Sequence, residues 1–326
     1  MSRSRARLAG MLGWAAAVVA VAAGIALSPD VRAIAGGALR EITVESVLVT
    51  VPVQLASTLI CAAALWVLGP GVSYWGSVAS RVLRDAGGNL LVIVPGLGEL
   101  IGARSLVLSG GTARRALVAS ALDVVAETLA QIPFICLALM VLPRLGSHWD
   151  IDRSTLDWLA IGVGAGLVFA IAIWALSRRS ERGLAARLLS ALAAQVVAAW
   201  HEWRQRHGAL PAAILLHLIA WAMGGVQVWL SARALGLPLS LVDAIILESA
   251  AYAVRAILFI VPAGVGVQEA GFVVAGSAFG LSPEQSLGLS LVLRARDVLL
   301  GVPVLLLWPV AEWRGQKAVG GPAGGG

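Results

Sequence analysis

Charge is what this sequence has least of. Only 13% of its 326 residues are Asp, Glu, Lys or Arg, against about 25% in soluble globular chains. A soluble protein needs a charged shell however large its core, so the soluble classes are excluded. Cysteine is nearly absent. Cys61 and Cys136 both lie inside apolar runs, which excludes a disulfide framework, and no Cys or His spacing matches a metal site. Histidine is equally sparse. His148, His201 and His207 sit in polar segments, and His217 sits in an apolar run, where it reads as a packing or cavity-lining side chain. Phosphate-cradling loops, dinucleotide glycine patterns and His-Glu zinc motifs are missing. Gly96-Leu97-Gly98 lacks the third glycine and the flanking strand. Asp123 and Glu127 are too sparse for an aspartate-rich Mg–diphosphate motif. The chain therefore reads as a non-enzyme, with no catalytic residue, no metal, no cofactor and no nucleic-acid partner.

What is present is apolar sequence: 59% hydrophobic residues and a mean hydropathy of +0.88. About 20 apolar residues cross a bilayer. The pattern predicts an all-α polytopic membrane protein with about six full spans, at 8–27, 46–68, 116–142, 156–176, 210–232 and 285–308. The first of these is too long for a signal-peptide core, which runs roughly 7–15 residues, so it reads as an anchor. Two further apolar regions, 72–108 and 241–281, carry Pro and Gly at their centres and read as helical hairpins. The segment 178–207 repeats Leu184, Leu188, Leu192, Val196 and Trp200 among arginines, the pattern of an amphipathic helix on a membrane surface.

Net charge is +6, carried almost wholly by Arg. With the N-terminus inside, the inner face collects Arg3, Arg5, Arg7, Arg81, Arg84, Arg114, Arg115, the 178–206 arginines, Arg314 and Lys317. The outer face keeps only Arg32, Arg40, Arg144, Arg153 and Arg233. The positive-inside rule then places the protein in a bacterial inner membrane with both termini cytoplasmic. The chain divides into an N-terminal anchor and outer loop (1–45), a first membrane repeat (46–142), a linking span with the amphipathic helix (143–209), a second repeat (210–312) and a disordered tail (313–326).

The repeat rests on the two broken regions. Val94-Pro95-Gly96-Leu97-Gly98-Glu99 resembles the stretch from Val261 to Gly271. Aligning Glu99 with Glu269 puts Gly110 on Gly280 and Glu127 on Asp297. The spans preceding the two regions run in opposite directions under the topology above, so the repeat is an inverted one, as in many transporters. Pro95, Gly96 and Gly98 in the first copy, and Pro262, Gly264 and Gly266 in the second, read as helix breaks. The backbone groups they release must line a cavity or be buried in protein.

Charges inside apolar segments carry the candidate site: Glu99, Asp123, Glu127, Glu248, Arg255, Glu269, Arg294, Arg296 and Asp297. Each costs about 2.5–3.5 kcal/mol at a helix centre, so most must pair or face water. They read either as interhelical ion pairs or as a polar cavity for a lipid headgroup or protons. Arg294 and Asp297, three apart, are placed to pair on one helix. Glu99, Glu127, Glu269, Arg294, Arg296 and Asp297 are expected to share one cavity, with Arg294 and Arg296 as its positive charges. The carboxylates are expected to pair with Arg or carry protons.

The stretch Pro262-Ala263-Gly264-Val265-Gly266-Val267-Gln268-Glu269 resembles the Pro-Gly-Gly-x-Gly-x-x-Glu signature of the lysylphosphatidylglycerol synthase transmembrane family, also called flippase-like or YbhN-like. Gly98-Glu99 followed by Arg104 is similar to that family's Gly-Glu-x-x-Arg pattern, with the Arg displaced. Asp123 to Glu127 looks like its acidic helix, and Leu293 to Gly301 resembles the last span of the hopanoid-associated HpnL branch. The resemblance covers roughly 45–312. It implies translocation or handling of a membrane lipid, a hopanoid or a phospholipid, with lipid-biosynthetic enzymes as partners. A soluble aminoacyl-transferase domain is missing from the sequence, so lysyl transfer is not implied. The competing functions are a scaffold for such enzymes and an intramembrane lipid-modifying enzyme.

Overall fold

The computed structural model describes residues 29–90, 96–141, 208–257 and 267–319. Among these residues the protein is helical, without strands. The helices, in chain order, are α1 (Pro29–Glu41), α2 (Val44–Leu48), α3 (Val51–Val67), α4 (Tyr74–Leu90), α5 (Leu97–Leu108), α6 (Ala113–Cys136), α7 (Ala209–Ala234), α8 (Leu241–Ile257), α9 (Val267–Ser277) and α10 (Pro283–Val319). A 3₁₀ turn, Leu137–Met140, extends α6.

Three stretches are long and apolar enough to cross a membrane: Val44–Val67, Ala113–Met140 and Ala209–Ala234. They coincide with three of the expected spans. Only 28% of each apolar window is buried, so most of each helix presents hydrocarbon outward. Leu59, Trp66, Leu129, Ile132, Leu215 and Ile219 are among the large exposed side chains. A soluble protein does not tolerate apolar surface of that extent; a bilayer solvates it. The expected span 285–308 lies within α10, which keeps Arg294, Arg296 and Asp297 in its first half. The expected spans at 8–27 and 156–176 and the amphipathic segment 178–207 lie outside the described residues.

Each broken region is a pair of helices packed antiparallel. In α4–α5 the two backbones touch: a Cβ on Gly98 would lie 2.6 Å from the Arg84 carbonyl and 2.8 Å from the Gly88 nitrogen. Ser80 Oγ donates to the Gly102 carbonyl at 2.8 Å. In α8–α9 Gly271 lies on Ala251, with 3.0 Å from its Cβ position to the Ala251 Cα. Gly98 is therefore not a break, as the sequence pattern suggests, but a close-packing position inside α5. The break falls at Gly96, which precedes α5 with φ +81°. Pro95, Pro262, Gly264 and Gly266 lie outside the described residues.

The two hairpins share their backbone punctuation. α4 and α8 are both 17 residues long. α5 and α9 begin 170 positions apart, as do α6 and α10. Gly110 and Gly280 both take positive φ, +97° and +73°. The Gly111 N–H donates to the Leu106 carbonyl at 3.0 Å, and the Leu281 N–H to the Gly276 carbonyl at 3.1 Å. Thr112 then accepts from the Arg115 N–H as Ser282 accepts from the Gln285 N–H. Before the break the matching offset is 167, with Gly69 corresponding to Gly236. The second break segment is thus three residues longer.

The chain packs as two units, each described on its own. The first comprises residues 1–57, 128–194 and 218–296 and contains α8–α9; the second comprises 58–127, 195–217 and 297–326 and contains α4–α5. The first unit's core gathers Val228, Leu247, Phe272 and Leu289, with a smaller cluster of Ile34, Ala38 and Ala270 beneath α1. The second unit's core gathers Ala64, Val118, Leu122, Ala126 and Ala213.

Candidate functional site

The second unit buries a dense charge network. Its centre is Asp123, 2% exposed. Asp123 Oδ2 accepts from Arg84 Nη1 at 2.9 Å and from Arg81 Nη1 at 3.5 Å, and Oδ1 lies 2.8 Å from His217 Nε2. One turn on, Glu127 accepts from Arg81 Nη2 at 2.9 Å and from Arg84 Nη2 at 2.6 Å. Arg81 Nε lies 2.9 Å from Asp85, and Arg84 Nη2 reaches Glu99 at 3.4 Å. Four helices build this arrangement. Ser77, Ser80, Ala86 and Gly87 give α4 a stripe of small residues, which lets α5 approach and directs the long arginines toward α6. The i, i+4 spacing of Asp123 and Glu127 puts both on one face of α6. α7 adds His217, 1% exposed. A guanidinium offers five donors in a rigid fork, so two of them satisfy several carboxylate oxygens at once.

The first unit holds a smaller, opposite arrangement. Glu269 is the third residue of α9 and accepts from Arg294 Nε at 2.9 Å. Beside it, Arg255 Nη1 donates to Gln268 Oε1 at 3.4 Å and lies 5.4 Å from the Tyr252 ring centroid. Tyr252 meets Trp221 edge-on, and Trp221 stacks on Phe134. Arg296 is buried. Glu248 is buried too, with Oε1 3.3 Å from a Cβ position on Gly224. Three guanidiniums and two carboxylates thus belong to this unit's charged set.

Several expectations are corrected. The sequence pattern assigns Arg81 and Arg84 to an inner loop as topology markers; they lie in α4 and are buried ion-pair partners. Arg294 and Arg296 are therefore not the only positive charges near the acidic residues, because Arg81 and Arg84 neutralise Asp123 and Glu127. Arg294 donates to Glu269 on α9. His217, which the sequence pattern gives as a packing or cavity-lining side chain, is a partner of Asp123. A signal for Arg81 and Arg84 existed: they sit in the small-residue stripe of α4, a position that faces a neighbouring helix. Glu99, Asp123 and Glu127 are brought together in one unit, and Glu269, Arg255 and Arg294 in the other.

Cys61 is buried and Cys136 exposed, both free. Among the described residues, no group of His, Cys, Asp and Glu side chains is arranged to hold a metal ion.

Apolar outward faces on three membrane-length helices, with hairpins and buried charge networks beside them, define a polytopic helical membrane protein. The chain belongs to the family described as the lysylphosphatidylglycerol synthase TM region, whose model matches residues 14–304. That membership makes it a membrane protein involved in lipid handling. No curated protein and no solved structure matches it.

Proposed function

We propose that the protein binds the polar head of a membrane lipid and carries it across the bilayer. The observation that supports this most is the Glu269–Arg294 pair at the start of α9, with Arg255 one residue away on Gln268. Guanidiniums beside a helix N-terminus suit a phosphate-bearing head, through paired hydrogen bonds and the positive end of the helix dipole. The aromatic group of Tyr252, Trp221 and Phe134 offers apolar surface next to it. The lipid body stays in the hydrocarbon while the head exchanges against Glu269.

The matched hairpins support an internal repeat; its inverted sense, about six full spans and both termini on the cytoplasmic side of a bacterial inner membrane belong to this reading through the arginine distribution of the sequence. The Arg-containing α10 is the basis for a hopanoid as cargo; a phospholipid fits the same chemistry. Lipid-biosynthetic enzymes are the partners this reading entails, and no step of it requires catalysis.

The test is lipid movement in proteoliposomes, followed with a headgroup-accessible fluorescent phosphatidylglycerol. Glu269→Gln and Arg294→Ala should each lower the rate at least about tenfold, the effect of about 1.4 kcal/mol on a barrier, with the fold intact. Wild-type rates in both folded variants would overturn the transport reading and leave a scaffold for lipid enzymes. Turnover of a labelled lipid would instead indicate an intramembrane enzyme.

A further inference from the structure

We propose that His217 and Asp123 form a proton-binding site, and that one proton taken there offsets one unit of the negative charge that Arg81 and Arg84 leave uncompensated in the second unit's network. Charge counting motivates the site. Arg81 and Arg84 face Asp85, Asp123 and Glu127 within ion-pair distance. Two cations against three carboxylates leave one negative charge uncompensated. Glu99, which reaches Arg84 from α5, adds another at the more exposed edge. From α3 the Cys61 thiol faces the same group, and it supplies no positive charge. α10 packs on α4 where Gly301 meets Ala86 and Leu90, and brings Asp297 one turn earlier, again an acid. Among the described residues, the elements packed around the network therefore contribute acid or nothing, except α4 with its two arginines and α7 with His217. An uncompensated charge in a low-dielectric interior is costly. His217 is the group in contact that can supply the missing positive charge.

The geometry specifies where the proton goes. Asp123 accepts from two guanidiniums through Oδ2, and such donors favour the charged carboxylate. Oδ1 of that carboxylate lies 2.8 Å from His217 Nε2; a carboxylate oxygen can only accept, so with Asp123 charged the hydrogen of neutral His217 belongs on Nε2. An added proton is taken from water onto Nδ1; no bond breaks and no redox partner is needed. The resulting imidazolium strengthens its hold on Asp123 and competes with Arg84 and Arg81 for that carboxylate. Proton uptake at α7 is thereby linked to the ion pairs that tie α4 to α6.

Solid-state ¹⁵N NMR of histidine-labelled protein in phosphatidylglycerol vesicles tests this. Replacing His148, His201 and His207 by Gln, and purifying with a tag that contains no histidine, leaves His217 as the only imidazole among the four histidines of the chain. Stepwise acidification should completely replace the neutral imidazole signals by imidazolium signals while the protein stays folded. Asp123→Asn, which keeps an acceptor but removes the charge, should abolish that replacement over the same pH steps. Neutral signals that persist until unfolding would overturn the proposal, as would imidazolium formation unaffected in a folded Asp123→Asn variant. If Asp123→Asn does not fold, the sole-histidine protein decides alone. Lipid movement plays no part in this readout. A protein that moves lipid without His217 titrating refutes the proton site only; one in which His217 titrates without lipid movement refutes the transport reading only.

Discussion

Gly98 rests directly on the backbone of Gly88, so that α4 and α5 meet without side chains between them. A Cβ on Gly98 would sit 2.8 Å from the Gly88 nitrogen and 3.0 Å from its Cα, whereas a Cβ on Gly88 would meet nothing within 4 Å. The contact is one-sided, and that asymmetry is testable. Gly98→Ala should destabilise the protein by about 1–3 kcal/mol, the usual cost of overpacking. Gly88→Ala should be neutral, or stabilising by up to ~1 kcal/mol through helix propensity. Thermal unfolding in detergent, read by circular dichroism, compares the two.

Gly110 and Gly280 take the same left-handed turn before α6 and α10. Neither has a neighbour within 4 Å of its Cβ position, so only backbone strain opposes a side chain. Gly110→Ala and Gly280→Ala should each cost about 1–2 kcal/mol, and the two losses should be similar. Unequal melting shifts would mean that the matched turns carry different loads.

The Arg84–Glu127 contact should behave as one member of a network. Arg84→Ala leaves buried carboxylates short of a partner, and breaking a buried pair typically costs about 3–5 kcal/mol. The double variant with Glu127→Ala should lose less than the two single losses added, by about 0.5–3 kcal/mol. A double-mutant cycle on denaturation midpoints measures the difference. Strict additivity would show that the two side chains do not depend on each other.

Arg104 and Glu312 provide the contrast. Arg104 Nε reaches Glu312 Oε2 and its Nη2 reaches Oε1, a bidentate pair, but Arg104 is exposed, where solvent and salt screen the interaction. Arg104→Ala should leave the melting temperature within measurement error. A shift comparable to that of Arg84→Ala would mean that the exposed pair is as strongly coupled to folding as the buried one.

Topology is open to cysteine labelling. With Cys61 and Cys136 replaced by Ser, a cysteine at position 147 should react with an impermeant maleimide from outside, and one at position 180 should react only after the membrane is opened. Arg81 and Arg84 are held in ion pairs and no longer count as loop charges, so the expected orientation rests on the arginines of 178–206. Outside labelling at position 180 would reverse the orientation.

Composition alone determined that this protein is helical and lives in a membrane, because hydrocarbon admits apolar side chains and requires each backbone group to be paired within its own helix. The spans at 46–68, 116–142 and 210–232 and the two interrupted regions were legible for the same reason: length, hydropathy and Pro/Gly punctuation are local properties. The candidate acids Glu99, Asp123, Glu127 and Glu269 were legible as charges too costly to be left alone. Their partners were not. Arg81 and Arg84 look like loop arginines until α5 and α6 pack against the small-residue face of α4. His217 looks like filler until α7 brings it to Asp123, 94 positions away in the chain. Arg294 donates to Glu269 on α9, a contact that spacing along its own helix does not give. Which charge meets which depends on how helices distant in sequence are rotated and packed, and that is a property of the tertiary structure, since helical periodicity gives the face of each residue but not the helix opposite.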